Sequence, residues 1–207
     1  MNAIAAFDTA AATALLDEAF SSRSVETACL TLITSALAQL YELYTRRDET
    51  LPEGLFGMNL LRGRLFRLLD VLPETPNAPL AFISAGPGEP HELDALILAI
   101  FWRRAGVRVV FFGEGVSGQG LVESARKAKP RVVALTVSSA TRARIVGQVA
   151  AEFARMANPQ INFGLVGDIL RRNSVLRKKM GGIYLGADPG EATQLVRRML
   201  SAPTNTR

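Results

Sequence analysis

The chain has 207 residues, 48% of them hydrophobic, which is enough to bury a full core and too much for a chain disordered throughout. No apolar run approaches the roughly 20 residues that span a bilayer, and the N-terminus lacks a basic segment followed by a signal-type apolar core, so a soluble cytoplasmic protein without a membrane partner is expected. One cysteine, Cys29, excludes an internal disulfide and a cysteine-built zinc site, and a single histidine, His91, leaves one imidazole for every duty.

The formal charge of +5 is unevenly spread. Residues 1–78 carry six Lys/Arg against ten Asp/Glu, whereas residues 79–207 carry eighteen against nine, an asymmetry that points to two modules. The basic run Arg171, Arg172, Arg177, Lys178 and Lys179 falls around an amphipathic helix. No aromatic residues interleave it as a nucleic-acid stacking platform would require, so it reads as a solvated face.

Residues 1–73 read as a helical bundle. Asp8 caps a segment running through Phe20, and Ser24 caps one from Val25 to about Arg46, with Leu30, Ile33, Ala36, Leu37, Leu40 and Tyr44 spaced in threes and fours. Pro52 suits the first position of a third helix reaching about Leu72. The stretch 74–79, with prolines at 76 and 79 just after Pro73, forms a linker.

From Leu80 the pattern alternates. Strands are expected near 80–84, 107–112, 131–136, 161–166 and 182–185, with helices near 92–105, 117–128, 140–157, 169–179 and 189–201. Runs apolar throughout, such as Val132-Val133-Ala134-Leu135, suit a parallel sheet covered on both faces. The fold class is therefore α/β: an N-terminal helical bundle, then a doubly wound, flavodoxin/Rossmann-like five-stranded parallel sheet over 80–202, with a tail at 203–207. In such sheets ligands bind outside the carboxyl ends of the strands. The turn Gly86-Pro87-Gly88-Glu89-Pro90-His91-Glu92-Leu93-Asp94 follows the first strand and carries the lone histidine.

That turn, its helix and the strand ending at Gly113 resemble the cobalamin-binding domain family, whose signature is Asp-x-His-x-x-Gly after strand one. The family's histidine displaces the cofactor's own base and ligates cobalt from below, so the resemblance implies cobalamin as cofactor and His91 as its metal ligand. Glu89 takes the Asp position, where a carboxylate bonds the far imidazole nitrogen, and Asp94 takes the Gly position. Read alone, His91 is a solvated or capping residue, and Glu92 and Asp94 suit the start of any helix.

The order of bundle, linker and sheet is most similar to the sensory region of MerR-type light-sensing repressors, and more distantly to the corrinoid modules of methionine synthase and methyltransferases. In the repressors a Trp and a Glu-His pair cover the upper face of the cofactor. Here Tyr44 falls at the Trp position and Gly54 and Leu55 at Glu-His. Leu55 cannot ligate cobalt, so the two-histidine photoproduct of those repressors is not available. Thr136 and Ser138 occupy the family's Ser-x-Leu stretch beside the nucleotide tail. Gly167 is the first of its paired glycines, and Asp168 puts a carboxylate at the second.

Gly113-Glu114-Gly115-Val116-Ser117-Gly118 misses the spacing of a dinucleotide fingerprint, and no Ser-His-Asp set is possible with the imidazole committed, so catalysis is not expected. The reading that follows is a non-catalytic cobalamin-binding or cobalamin-binding-like sensory domain, related to transcription regulators and acting through a regulator protein or a homo-oligomer. A corrinoid carrier of a methyltransferase system and an interaction module that has lost the cofactor are the alternatives. No helix-turn-helix precedes residue 24, so DNA contact is expected only through a partner or an additional N-terminal segment.

Overall fold

The structure, a computed structural model, describes residues 1–44, 51–89, 92–156 and 161–201. Two compact units are present, Met1–Leu68 and Leu69–Arg207.

The first unit is helical: α1 Asn2–Ala5, α2 Thr9–Ser21, α3 Val25–Ala28, a π-helical turn Cys29–Ile33, α4 Thr34–Tyr44 and α5 Pro52–Asp70. Both expected caps form. Asp8 accepts from the Ala11 amide at 2.9 Å and Ser24 from the Thr27 amide at 3.1 Å, each satisfying an otherwise orphaned N–H. The π turn differs from the continuous helix expected over this stretch. Thr34 Oγ1 donates to the Cys29 carbonyl at 2.7 Å, five residues back, and the wider turn rotates the helix so that Ala28 and Cys29 are fully buried while Leu30 is exposed. Gly57 lets α5 approach α4, because a Cβ there would lie 2.3 Å from a Leu40 methyl.

The second unit is a five-stranded sheet of order β2-β1-β3-β4-β5, parallel throughout. Its strands are β1 Leu80–Ala85, β2 Arg108–Gly113, β3 Val132–Thr136, β4 Asn162–Val166 and β5 Ile183–Gly186. Between them run α6 Leu93–Arg104, α7 Gly118–Ala128, α8 Ala140–Arg155, α9 Asp168–Arg172 and α10 Ser174–Met180, and α11 Pro189–Ser201 closes the unit. Helix α6 is apolar nearly all round and is buried accordingly, from Ala95 to Trp102 without a break, against β1, β2 and α11. A second core joins Phe82, Val133, Leu135 and Leu165 to Leu121, Val146, Val149 and Phe153 of α7 and α8. The single helix expected over 169–179 is two, because Asn173 leaves helical dihedrals and caps α10 by accepting from the Leu176 amide at 2.9 Å.

The end of α5 and the proline stretch belong with the sheet. Arg103 donates to the Leu69 carbonyl at 3.1 Å and pairs with Glu74 at 2.6 Å, and Arg108 donates to the Pro76 carbonyl at 3.1 Å. The two compact units divide at Leu68/Leu69, so these bonds lie within the second. Among the described residues no helix is long and apolar enough to cross a membrane.

Candidate functional site

Strand order reverses at β1, which pairs with β2 on one side and β3 on the other, and the loops leaving β1 and β3 at this switch point are bound to each other. Ala85 lies opposite Thr136 in the ladder. One residue on, the Gly86 amide donates to the Thr136 carbonyl at 3.0 Å. Gly86 can make this approach only without a side chain, since a Cβ would sit 2.7 Å from that carbonyl oxygen and 2.7 Å from a Val146 methyl. A turn follows, with the Glu89 amide donating to the Gly86 carbonyl at 3.0 Å and Gly88 in the left-handed region at φ 81°.

This turn aims Glu89 at the β3–α8 loop. Its Oε1 accepts from the Ser138 amide at 2.9 Å and its Oε2 from Ser138 Oγ at 2.5 Å, with only 4% of the side chain exposed. Arg142 adds a third tie: its Nε donates to the Gly88 carbonyl at 2.7 Å and lies 3.9 Å from Glu89 Oε2. Its Nη1 reaches Ser138 Oγ and Ser139 Oγ, each at 3.4 Å. Burial pushes the Glu89 carboxyl above the ordinary range; the Ser138 bonds and the Arg142 charge act against it, while Asp94 adds to it.

The sign of that shift gives a testable pH dependence. The folded chain holds the Glu89 proton to higher pH than the unfolded chain does, so it binds more protons in the window above the ordinary value of 4.5. Stability of the cofactor-free wild type should therefore fall relative to Glu89→Gln as pH rises through that window, and the deficit should persist above it. Urea unfolding of both proteins from acid to neutral pH measures this. A difference that grows in favour of the wild type with rising pH contradicts it.

Of the residues singled out from sequence, the structure brings together Glu89, Ser138 and Thr136, with Asp94 in the first turn of α6 close enough to act on Glu89. His91 lies outside the described residues. Ser138, expected beside a nucleotide tail, commits its hydroxyl proton to Glu89. Glu92 stands immediately before α6, at the helix start that its sequence position suggests, and is buried at 3% exposure. Gly167 ends β4, where a Cβ would lie 2.2 Å from the Val137 carbonyl oxygen. Asp168, the carboxylate at the second glycine position, has a side chain 37% exposed and is paired with Arg171 at 2.6 Å and with Arg172. Tyr44 closes α4, and Gly54 and Leu55 lie in the first turn of α5, Gly54 buried and Leu55 44% exposed; all three belong to the first unit.

Arg142 was not legible as a site residue. One signal does mark it: it stands in the first turn of α8, where the helix dipole disfavours a cation. A residue that breaks a local rule needs a compensating contact, and here the contacts are across the loop.

No protein-family model matches the chain, and no curated protein does. Solved structures do. A monomethylamine corrinoid protein from Methanosarcina barkeri superposes with a TM-score of 0.75 at 16% identity, over 95% of this chain and 94% of that one. A cobalamin-binding protein from Desulfitobacterium hafniense DCB-2 gives 0.54 at 13% identity, over 97% and 96%. The methanol:cobalamin methyltransferase complex MtaBC from Methanosarcina barkeri gives 0.52 at 18%, over 81% of this chain and 64% of that one. The likeness is one of fold. It agrees with the α/β architecture read from the sequence, and none of the three is described as a light-sensing repressor.

Proposed function

We propose that this chain binds cobalamin and works as a corrinoid carrier of a methyltransferase system, with His91 as the lower ligand of cobalt and a methyltransferase as partner. The observation that carries the reading is the Glu89–Ser138 clamp at the switch point, two residues before the chain's only imidazole. The donor set fits the group. A carboxylate offers about four acceptor positions, and the Ser138 amide and hydroxyl take two, so Glu89 keeps capacity for the N–H of an imidazole whose other nitrogen faces a metal. Cobalamin, when bound, supplies a cobalt centre able to accept and release a methyl group.

The chain's own residues then have distinct parts. Glu89 would hold the imidazole proton and fix the tautomer, while Ser138 holds Glu89, so that the donor strength of His91 is set by a buried hydrogen-bonded chain. Gly86 keeps the β1 loop against β3. His91 is the only imidazole in the sequence, so the chain offers no second one to cobalt, which argues against a sensor locked by two histidines. The fold likeness to corrinoid and methyltransferase proteins supports the carrier over the regulatory reading.

The protein loaded with methylcobalamin should, when mixed with a corrinoid-dependent methyltransferase and a thiol acceptor, lose its methyl–cobalt absorbance faster than free methylcobalamin, without change in elution volume. Unchanged absorbance together with a shift in assembly state on ligand binding or illumination would return the sensor. Failure to retain any cobalamin would mark a module that has lost the cofactor.

A further inference from the structure

We propose that Arg142 is a positioning residue for the cobalt ligand: its guanidinium latches the His91-bearing loop to α8, and so presets the loop for metal ligation. This inference rests on the cobalamin reading above. Arg142 has one side chain in contact with both sides of the switch point. The Nε bond to the Gly88 carbonyl, at 2.7 Å, holds the β1–α6 loop three residues before His91. The Nη1 contacts at 3.4 Å hold Ser138 and Ser139, the residues that respectively clamp Glu89 and cap α8. Gly88 at φ 81° presents its carbonyl to this fork from a conformation that other residues resist.

The placement is costly unless it serves the loop. A cation in the first turn opposes the α8 dipole, and a side chain 26% exposed gives up much of its hydration. The guanidinium fork returns these costs through several directed bonds held at once, which a lysine ammonium at the same position would not reproduce. Without it, the loop would be joined to β3 by the Gly86–Thr136 and Glu89–Ser138 bonds alone among the bonds described. A ligand imidazole must be held in one orientation to bind well, and loosening the groups that orient it typically costs tenfold to a hundredfold in metal affinity.

The test uses Arg142→Ala and Arg142→Lys in the full chain with two readouts. Hydrogen exchange on the cofactor-free proteins reports the latch: the amides of Gly86, Gly88 and Glu89 should exchange about tenfold faster in Arg142→Ala, with α7 and α11 unchanged. Electron paramagnetic resonance of bound cob(II)alamin, on protein carrying 15N-histidine, reports positioning: the share of cobalt ligated by protein nitrogen should fall in Arg142→Ala and be intermediate in Arg142→Lys. Loop exchange and histidine ligation both at wild-type level in Arg142→Ala overturn the proposal, as does full rescue by Arg142→Lys, since charge alone would then suffice. If Arg142→Ala fails to fold, Arg142→Lys decides on the same readouts. A wild type that binds no cobalamin overturns the carrier reading instead, and loop exchange still tells whether the latch exists.

Discussion

His91→Ala should lose cobalamin on gel filtration, with an affinity lowered on the order of a hundredfold or more, and any residual bound cofactor should show the spectrum of cobalamin keeping its own base. The size follows from what is removed. Loss of a partner that merely orients a ligating histidine costs tenfold to a hundredfold, and here the ligand itself goes, with no second histidine in the chain to replace it. Glu89→Gln should fall in the milder range, because an amide oxygen still accepts a hydrogen bond while the charge is lost. Equal retention and identical spectra for His91→Ala and the wild type would remove His91 from the site.

Gly167→Ala should be the most destabilising single-methyl addition near the strand ends, by about 2–5 kcal/mol. The new Cβ would lie 2.2 Å from the Val137 carbonyl oxygen and 3.2 Å from its carbonyl carbon, and φ there is 157°. Neither neighbour can yield easily, because the Val137 amide is bonded to the Val166 carbonyl at 2.9 Å and the Gly167 amide to the Gly186 carbonyl at 3.1 Å. The clash therefore spreads through the carboxyl ends of β3, β4 and β5. Gly63→Ala is the matched control: nothing lies within 4 Å of its added Cβ, and within α5 alanine should stabilise by about 0.5–1 kcal/mol. Urea midpoints of the three proteins check both signs, and a Gly167→Ala midpoint equal to the wild type would mean that the two loops separate at no cost.

Hydrophobic pattern made the sheet unit legible because its central strands β1, β3 and β4 are buried on both faces, so β3 reads as an unbroken apolar run and α6 as a helix apolar all round. Local chemistry revealed the caps at Asp8 and Ser24 for the same reason: donor and acceptor lie within one turn. What stayed hidden depends on contacts between distant residues or on a backbone choice that composition does not encode. The π turn at Cys29–Ile33 keeps a helical spacing but rotates it, and the break at Asn173 needs only one residue to prefer its own side-chain bond. In the candidate site, the resemblance pointed to Glu89 and to Ser138 separately, not to a bond between them. The two lie 49 residues apart, and the Arg142 bond to Gly88 spans 54. No periodicity reports such pairs; only the strand order that sets β1 beside β3 creates them.

Cobalt ligation by His91 is measured most directly by electron paramagnetic resonance of cob(II)alamin bound to wild-type protein whose histidine alone carries 15N. With one imidazole in the chain, any protein nitrogen donor of this kind is His91. A 15N nucleus splits each cobalt line in two, whereas the 14N of the cofactor's own base splits it in three. Doublets are the expected result. Triplets unchanged from those of unlabelled protein would contradict it.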